Sequence, residues 1–152
     1  MKSIKEEAIA LFKEKYNCCQ SIFLPYSKLF GINRETALKM SSGFGGGIAR
    51  MGEVCGAING AVMVLGLKYG STDNKNIEQK EKLNEIIREF ENKLKKSHKN
   101  IYCRTLLTED EGVVHKMHSD KCASIVAEVC DLLDEYLNIN LKQEDNNVKY
   151  WI

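Results

Sequence analysis

The sequence predicts an all-α protein, a compact helical bundle around a buried central helix at about residues 53–69. Three observations carry that expectation. Apolar residues recur at helical spacing along most of the chain, no segment alternates with the period of two of a half-buried strand, and there is a single proline. At 152 residues the length suits one helical domain, placed at 1–139 and followed by a polar C-terminal tail at 140–152.

The elements follow in order. From Ser3 to Tyr16, the residues Ile4, Ala8, Leu11, Phe12 and Tyr16 share one helical face, and Ser3 with Glu6 has the spacing of a capping box. Asn17 interrupts this pattern. A second helix is expected from Cys18 to Phe30, ending at Gly31, with Pro25 either kinking it or delaying its start. Asn33 is placed to cap Arg34 to Met40. The run Gly43-Phe44-Gly45-Gly46-Gly47 is neither helix nor central strand, because glycine loses too much backbone entropy in both. Glu53 to Tyr69 is apolar on nearly every face, which marks it as the central helix, with Gly70 closing it as a C′ residue. Lys75 to Lys96 carries an apolar stripe of Ile77, Leu83, Ile86, Ile87, Phe90 and Leu94 under a charged outer face. Ile101 to Leu107 reads as a short helix and Thr108 to Ser119 as turns. A last helix spans Asp120 to Leu137, with Ile125, Val126, Val129, Leu132, Leu133 and Tyr136 inward.

Charge excludes some functions. With 22 basic and 21 acidic residues, nothing points to nucleic acid or an anionic membrane surface. The first fifteen residues alternate charged and apolar side chains and do not read as a signal peptide. The longest apolar run, Ala57 to Leu67, contains Asn59 and is far shorter than the ~20 residues of a membrane span. A cytoplasmic location and no membrane insertion are expected.

Six cysteines are many for a cytoplasmic chain, where thiols stay reduced and clusters serve redox or metal chemistry more often than a disulfide framework. Cys55 has the strongest local argument. It is expected in the first turn of the central helix, where unpaired amides and the helix dipole favour a thiolate, and Arg50 adds positive charge nearby. Gly56 and Gly60 would let another backbone, a cofactor or a second sulfur come close. Gly45, Gly46 and Gly47 lack the Gly-Lys-Ser/Thr ending of a phosphate-binding loop and follow no strand. They are expected to expose amides beside Cys55 or to pack on a cofactor. Cys18 and Cys122 also fall near predicted helix starts, and Cys103 opens the short segment beside Arg104. No Cys-x-x-Cys pair occurs. His115, His118 and Cys122 have the spacing of a shared helical face for a metal. Ser119 and Asp120 look like the helix cap, however, so both histidines are read as solvated loop residues.

The order Asn17-Cys18-x-Gln20-Ser21, Gly43 to Gly47, Cys55-Gly56-Ala57-x-x-Gly60-Ala61, Cys103-Arg104 and Cys122 resembles the redox-active family named for its C_GCAxxG_C_C pattern. The resemblance runs from about Ala8 to Glu135. It implies that Cys18, Cys55, Cys103 and Cys122 are the family's four cysteines and that Cys19 and Cys130 are extras. Members are common in anaerobes, and the family is distantly similar to split-Soret cytochromes, which carry haem and an iron–sulfur centre. Without Cys-x-x-Cys-His, covalent haem is not expected here, whereas an iron–sulfur cluster on the four cysteines stays open.

The leading expectation is a cytoplasmic redox protein acting through cysteine thiolates. Cys55 would be the attacking sulfur and one of Cys18, Cys103 or Cys122 its resolving partner. The alternatives are an iron–sulfur or other metal-cluster protein with the same four cysteines as ligands, and a non-catalytic helical binding module. The redox partner is not identified by the sequence. A homodimer is suggested by the apolar central helix.

Overall fold

Local caps set where the first helices begin. Ser3 accepts from the Glu6 amide while Glu6 reaches back to the Ser3 amide, and α1 runs Ile4–Lys13. Asn17, which in the sequence only interrupts a pattern, makes the same reciprocal pair with Gln20 and opens α2, Cys18–Ser27. Asn33 accepts from Thr36 and caps α3, Arg34–Ser41. This computed structural model describes residues 1–139, so the expected tail at 140–152 lies outside the described residues. The remaining helices are α4, Gly56–Tyr69; α5, Ile77–Leu94; α6, Cys103–Leu106; and α7, Asp120–Leu137. The described residues contain no strand, only an isolated antiparallel bridge between Val54 and Tyr102. The all-α expectation holds.

Several boundaries differ from the sequence reading for identifiable reasons. The central helix starts at Gly56, not Glu53, because residues 53–55 are held extended across the bridge. There the Cys55 amide donates to the Ile101 carbonyl at 2.9 Å and the Cys103 amide to Glu53 at 2.7 Å. Cys55 is therefore the N-cap of α4, one step before its first turn. Gly70 at the far end is extended (φ −67°, ψ 156°), not left-handed as a C′ glycine would be. Helix α2 starts at Cys18, and Pro25 sits in its last turn. The chain then tightens into a 3-10 turn, Lys28–Phe30, and turns at Gly31 with φ 75°. Ile77, assigned from the sequence to the inward stripe of α5, is exposed at its first position, whereas Phe90 and Leu94 are buried.

Helix α4 packs on α2, α5 and α7, while α2 also touches α1 and α3. The centre is thus shared, and every residue of α2 from Ser21 to Ser27 is buried. Burial of Phe23, Tyr26 and Phe90 stabilises the core by about 1.5–3 kcal/mol per side chain. The Tyr26 hydroxyl is satisfied inside it, donating to Asp134 at 2.7 Å and to the Cys130 carbonyl. The two helices cross closely because α4 presents glycine to α2. A Cβ on Gly60 would lie 3.0 Å from both the Cys19 carbonyl oxygen and Ile22 Cβ, and one on Gly56 would lie 2.9 Å from the Phe44 carbonyl oxygen.

Gly66, on the same helix, has open space at its Cβ position. Gly66→Ala should therefore raise stability by about 0.5–1 kcal/mol, the helix-propensity gain. Gly60→Val should lower it by about 1–3 kcal/mol through overpacking. Urea unfolding midpoints of the two variants test this opposition directly.

Candidate functional site

Four helix starts meet at one place. Cys18 opens α2, Cys55 caps α4, Cys103 opens α6, and Cys122 is the third residue of α7. All four line a single apolar cavity together with Gly56, Leu106, Leu107 and Ile125. The bridge between Val54 and Tyr102 sets Cys55 and Cys103 on neighbouring strands of chain. The missing side chain of Gly56 brings Cys18 up to α4, since a Cβ there would lie 3.2 Å from Cys18 Cβ. All six cysteines are free thiols. Cys19, against Met63 at 3.9 Å, and Cys130 are core residues away from this cavity.

The glycine run packs against Cys103 and Glu53 beside the site, outside the lining of the cavity. Gly46, Gly47, Ile48, Ala49 and Arg50 are five consecutive residues with φ between 49° and 69°. This left-handed turn costs about 1–2 kcal/mol at each non-glycine position. It is held by bonds from the amides of Ile48, Ala49 and Arg50 to the carbonyls of Phe44, Gly43 and Gly45. The amides of Met51, Gly52 and Glu53 are likewise used inside the loop. The amides that follow the glycine run are therefore engaged within the loop. Gly45 and Gly47 do not leave room at their Cβ positions. Asn17 Cβ lies 2.7 Å from the first, and Glu53 backbone and Cys103 Cβ crowd the second. Gly46 is filled by Arg50 and the Met117 sulfur. Of the neighbours that the sequence left open for Gly56 and Gly60, those present are backbone of α2 and of the loop, with the Cys18 side chain beside Gly56.

Electrostatics redistribute the roles expected of the cysteines. Burial pushes the Cys55 thiol up to about 12, outweighing the amides of Ala57 and Ile58 that favour its thiolate. The helix-start argument for Cys55 was right in sign, but desolvation is larger. Arg50 does not rescue it, since its side chain is exposed on the loop. Burial and the neighbouring Cys122 also raise Cys103. Cys122 moves the other way. The neighbouring Cys18 side chain is the largest influence, burial opposes, and the backbone and hydroxyl of Ser119 with the backbone of His118 add support, holding Cys122 below the usual thiol range. The neighbouring Cys122 and burial raise Cys18 above the ordinary thiol value.

The local cause is readable in hindsight. Ser119 is the N-cap of α7 and Cys122 sits at the position where a capping box carries Glu. The Ser119 hydroxyl donates to Cys122 Sγ at 3.8 Å. The spacing Ser-x-x-Cys was available in the sequence and places this hydroxyl on the Cys122 sulfur. His118 is not the solvated residue expected, because its ring stacks on Phe12 at 3.9 Å and its Nε2 is buried without a partner. His115 instead pairs with Asp110 at 2.7 Å. Among the described residues no three His, Cys, Asp or Glu side chains are grouped to hold a metal ion.

A family model described as "Putative redox-active protein (C_GCAxxG_C_C)" matches residues 16–136, most of the chain. The protein belongs to the C_GCAxxG_C_C family. An uncharacterized protein of Archaeoglobus fulgidus is 34% identical over 64 residues, covering 41% of this chain. The match spans 42% of that relative's length, well under two thirds of it. No solved structure matches the chain. Among the described residues no helix is long and apolar enough to cross a membrane.

Because Cys18 is the largest influence on Cys122, Cys18→Ala should raise the Cys122 titration toward the ordinary thiol value of ~8.5. Ser119→Ala should raise it by about one unit, the worth of one hydrogen bond. Thiolate absorbance against pH, with the other cysteines blocked or replaced, reads both shifts.

Proposed function

We propose that this C_GCAxxG_C_C protein is a thiol–disulfide redox protein whose exchange pair is Cys122 and Cys18. The observation that carries the reading is that Cys18 and Cys122, each at a helix start, line one apolar cavity with two more cysteines, and that the Ser119 hydroxyl donates to the Cys122 sulfur. The thiolate of Cys122 attacks one sulfur of a substrate disulfide, forming a mixed disulfide and expelling one substrate thiolate. Cys18 then gives up its proton to that leaving thiolate and attacks the Cys122 sulfur. The Cys18–Cys122 disulfide forms, the second substrate thiolate leaves, and two electrons have passed from protein to substrate. Cys55, raised by burial, and Cys103 stand beside the pair as a second dithiol able to reduce it. A cytoplasmic setting suits such a dithiol.

A second reading keeps the same residues and changes the chemistry. All four thiols line one apolar cavity, and thiolates are the normal ligands of iron–sulfur clusters, which would supply one-electron transfer. Cys18, Cys55, Cys103 and Cys122 would be the holding residues, although among the described residues no three ligating side chains are grouped to hold a metal ion.

Treatment with a small disulfide followed by differential alkylation and mass spectrometry should show Cys122 reacting first and a Cys18–Cys122 link accumulating. Cys122→Ser should abolish that link. If Cys55 or Cys103 is modified while Cys122 stays a free thiol, the exchange assignment is wrong. Anaerobically purified protein that contains stoichiometric iron and sulfide, lost on any of four Cys→Ser changes, would favour the cluster instead.

A further inference from the structure

Outside the cysteine cavity the described chain has one dense group of ionisable side chains, on the connection from α6 to α7. His98, just beyond α5, has both ring nitrogens engaged by carboxylates, with Nδ1 2.5 Å from Glu109 and Nε2 2.7 Å from Glu128. The His98 and Glu109 side chains are only 10% and 7% exposed. Glu109 also accepts from Lys121 Nζ at 2.8 Å and from the Lys99 amide at 3.2 Å. Lys121 further meets Asp110 at 3.2 Å, and Asp110 meets His115. These are the charged groups that face His98 directly or through Glu109: Glu109 and Asp110 from the connection, Glu128 and Lys121 from α7, and His115 at its far end.

The same connection encloses the reactive sulfur. The Cys122 thiol donates to the Lys116 carbonyl at 3.9 Å, and the Ser119 hydroxyl donates to the Cys122 sulfur at 3.8 Å. Leu107, where the connection begins, lines the cavity. His118 pins its end to α1 by stacking on Phe12. Glu109 is thus the bolt between the segment covering Cys122 and the body of the protein.

We propose that residues 107–119 form a strap over Cys122 that is latched while His98 is protonated and loosens when it loses that proton. The reason is stoichiometric. Only the imidazolium carries an N–H on both ring nitrogens, so the neutral ring turns a lone pair toward one of its two carboxylates. Burial disfavours the charged ring, yet the Glu109 and Glu128 carboxylates outweigh it and raise His98 above the ordinary histidine value. A group with a raised folded value stabilises fully below its unfolded value, ~6.5, and that stabilisation is lost as pH rises through the raised one. Lys121 stays charged through this range and keeps a hold on Glu109, so the strap loosens without detaching. The consequence for Cys122 rests on the exchange reading: alkaline conditions would favour access by a bulky disulfide. The motion itself does not rest on that reading.

Hydrogen exchange of the intact chain, with protection corrected for intrinsic rates, separates the two. Between pH 6 and pH 9 the amides of 107–119 should lose about tenfold in protection, the worth of a hydrogen bond to a charged group, while α2 and α7 amides hold theirs. His98→Gln should show the low value at both pH values. Glu128→Gln, at the more exposed end of the latch, should flatten the pH response if the His98 variant fails to fold. Unchanged wild-type protection across this range, or an undiminished pH response in the variants, would overturn the latch. No thiol reacts in this experiment, so its failure is distinct from failure of the exchange pair.

Discussion

The close crossing of α2 and α4 is the constraint on which the rest of the site depends. Two glycines on one face of α4 let the backbone of Cys19 and the side chain of Ile22 come within contact of the helix itself. That approach brings the start of α2 against the start of α4, and with it Cys18 against the cap residue Cys55. Any side chain at Gly56 would also push on the Phe44 carbonyl and so on the glycine-rich loop. Helix packing and site assembly are therefore one event in this fold.

The left-handed turn over Gly46 to Arg50 is the second half of that event. It holds unfavourable backbone at Ile48, Ala49 and Arg50, and a network of amide bonds within the loop compensates. Its return at Glu53 feeds the bridge to Tyr102, which fixes Cys103 beside Cys55. Strain in the loop is thus balanced by placement of two of the four sulfurs. The glycines that looked suited to a ligand are occupied by the protein's own atoms.

Four sulfurs in one apolar space cannot all ionise. Burial and neighbouring thiols raise Cys18, Cys55 and Cys103, while the groups around Cys122 lower it. Cys122 is favoured because the Ser119 cap leaves donors pointing at it, while Cys55 is enclosed too deeply for its two amides to prevail. The His98 cluster adds a second layer, since the segment supplying the Cys122 donors is itself tied down by Glu109.

What the sequence determined by itself was the all-α class, the caps at Ser3 and Asn33, the span of α7 and the cysteine pattern of the family. These are local properties: periodicity, short-range hydrogen bonding and motif order depend on residues within a few turns. The start of α4 was misplaced because a long-range bridge to Tyr102 overrode local helix preference. Burial raises Cys55, against the thiolate expected there, because desolvation is a property of the folded environment. No spacing in the chain reports how deeply Cys55 is enclosed or that Cys18 faces Cys122. Likewise, the pairing of His98 with Glu109 and Glu128 joins positions 11 and 30 residues apart, which only packing brings together. The sequence placed each sulfur at a helix start; the tertiary structure brought the four of them to one cavity.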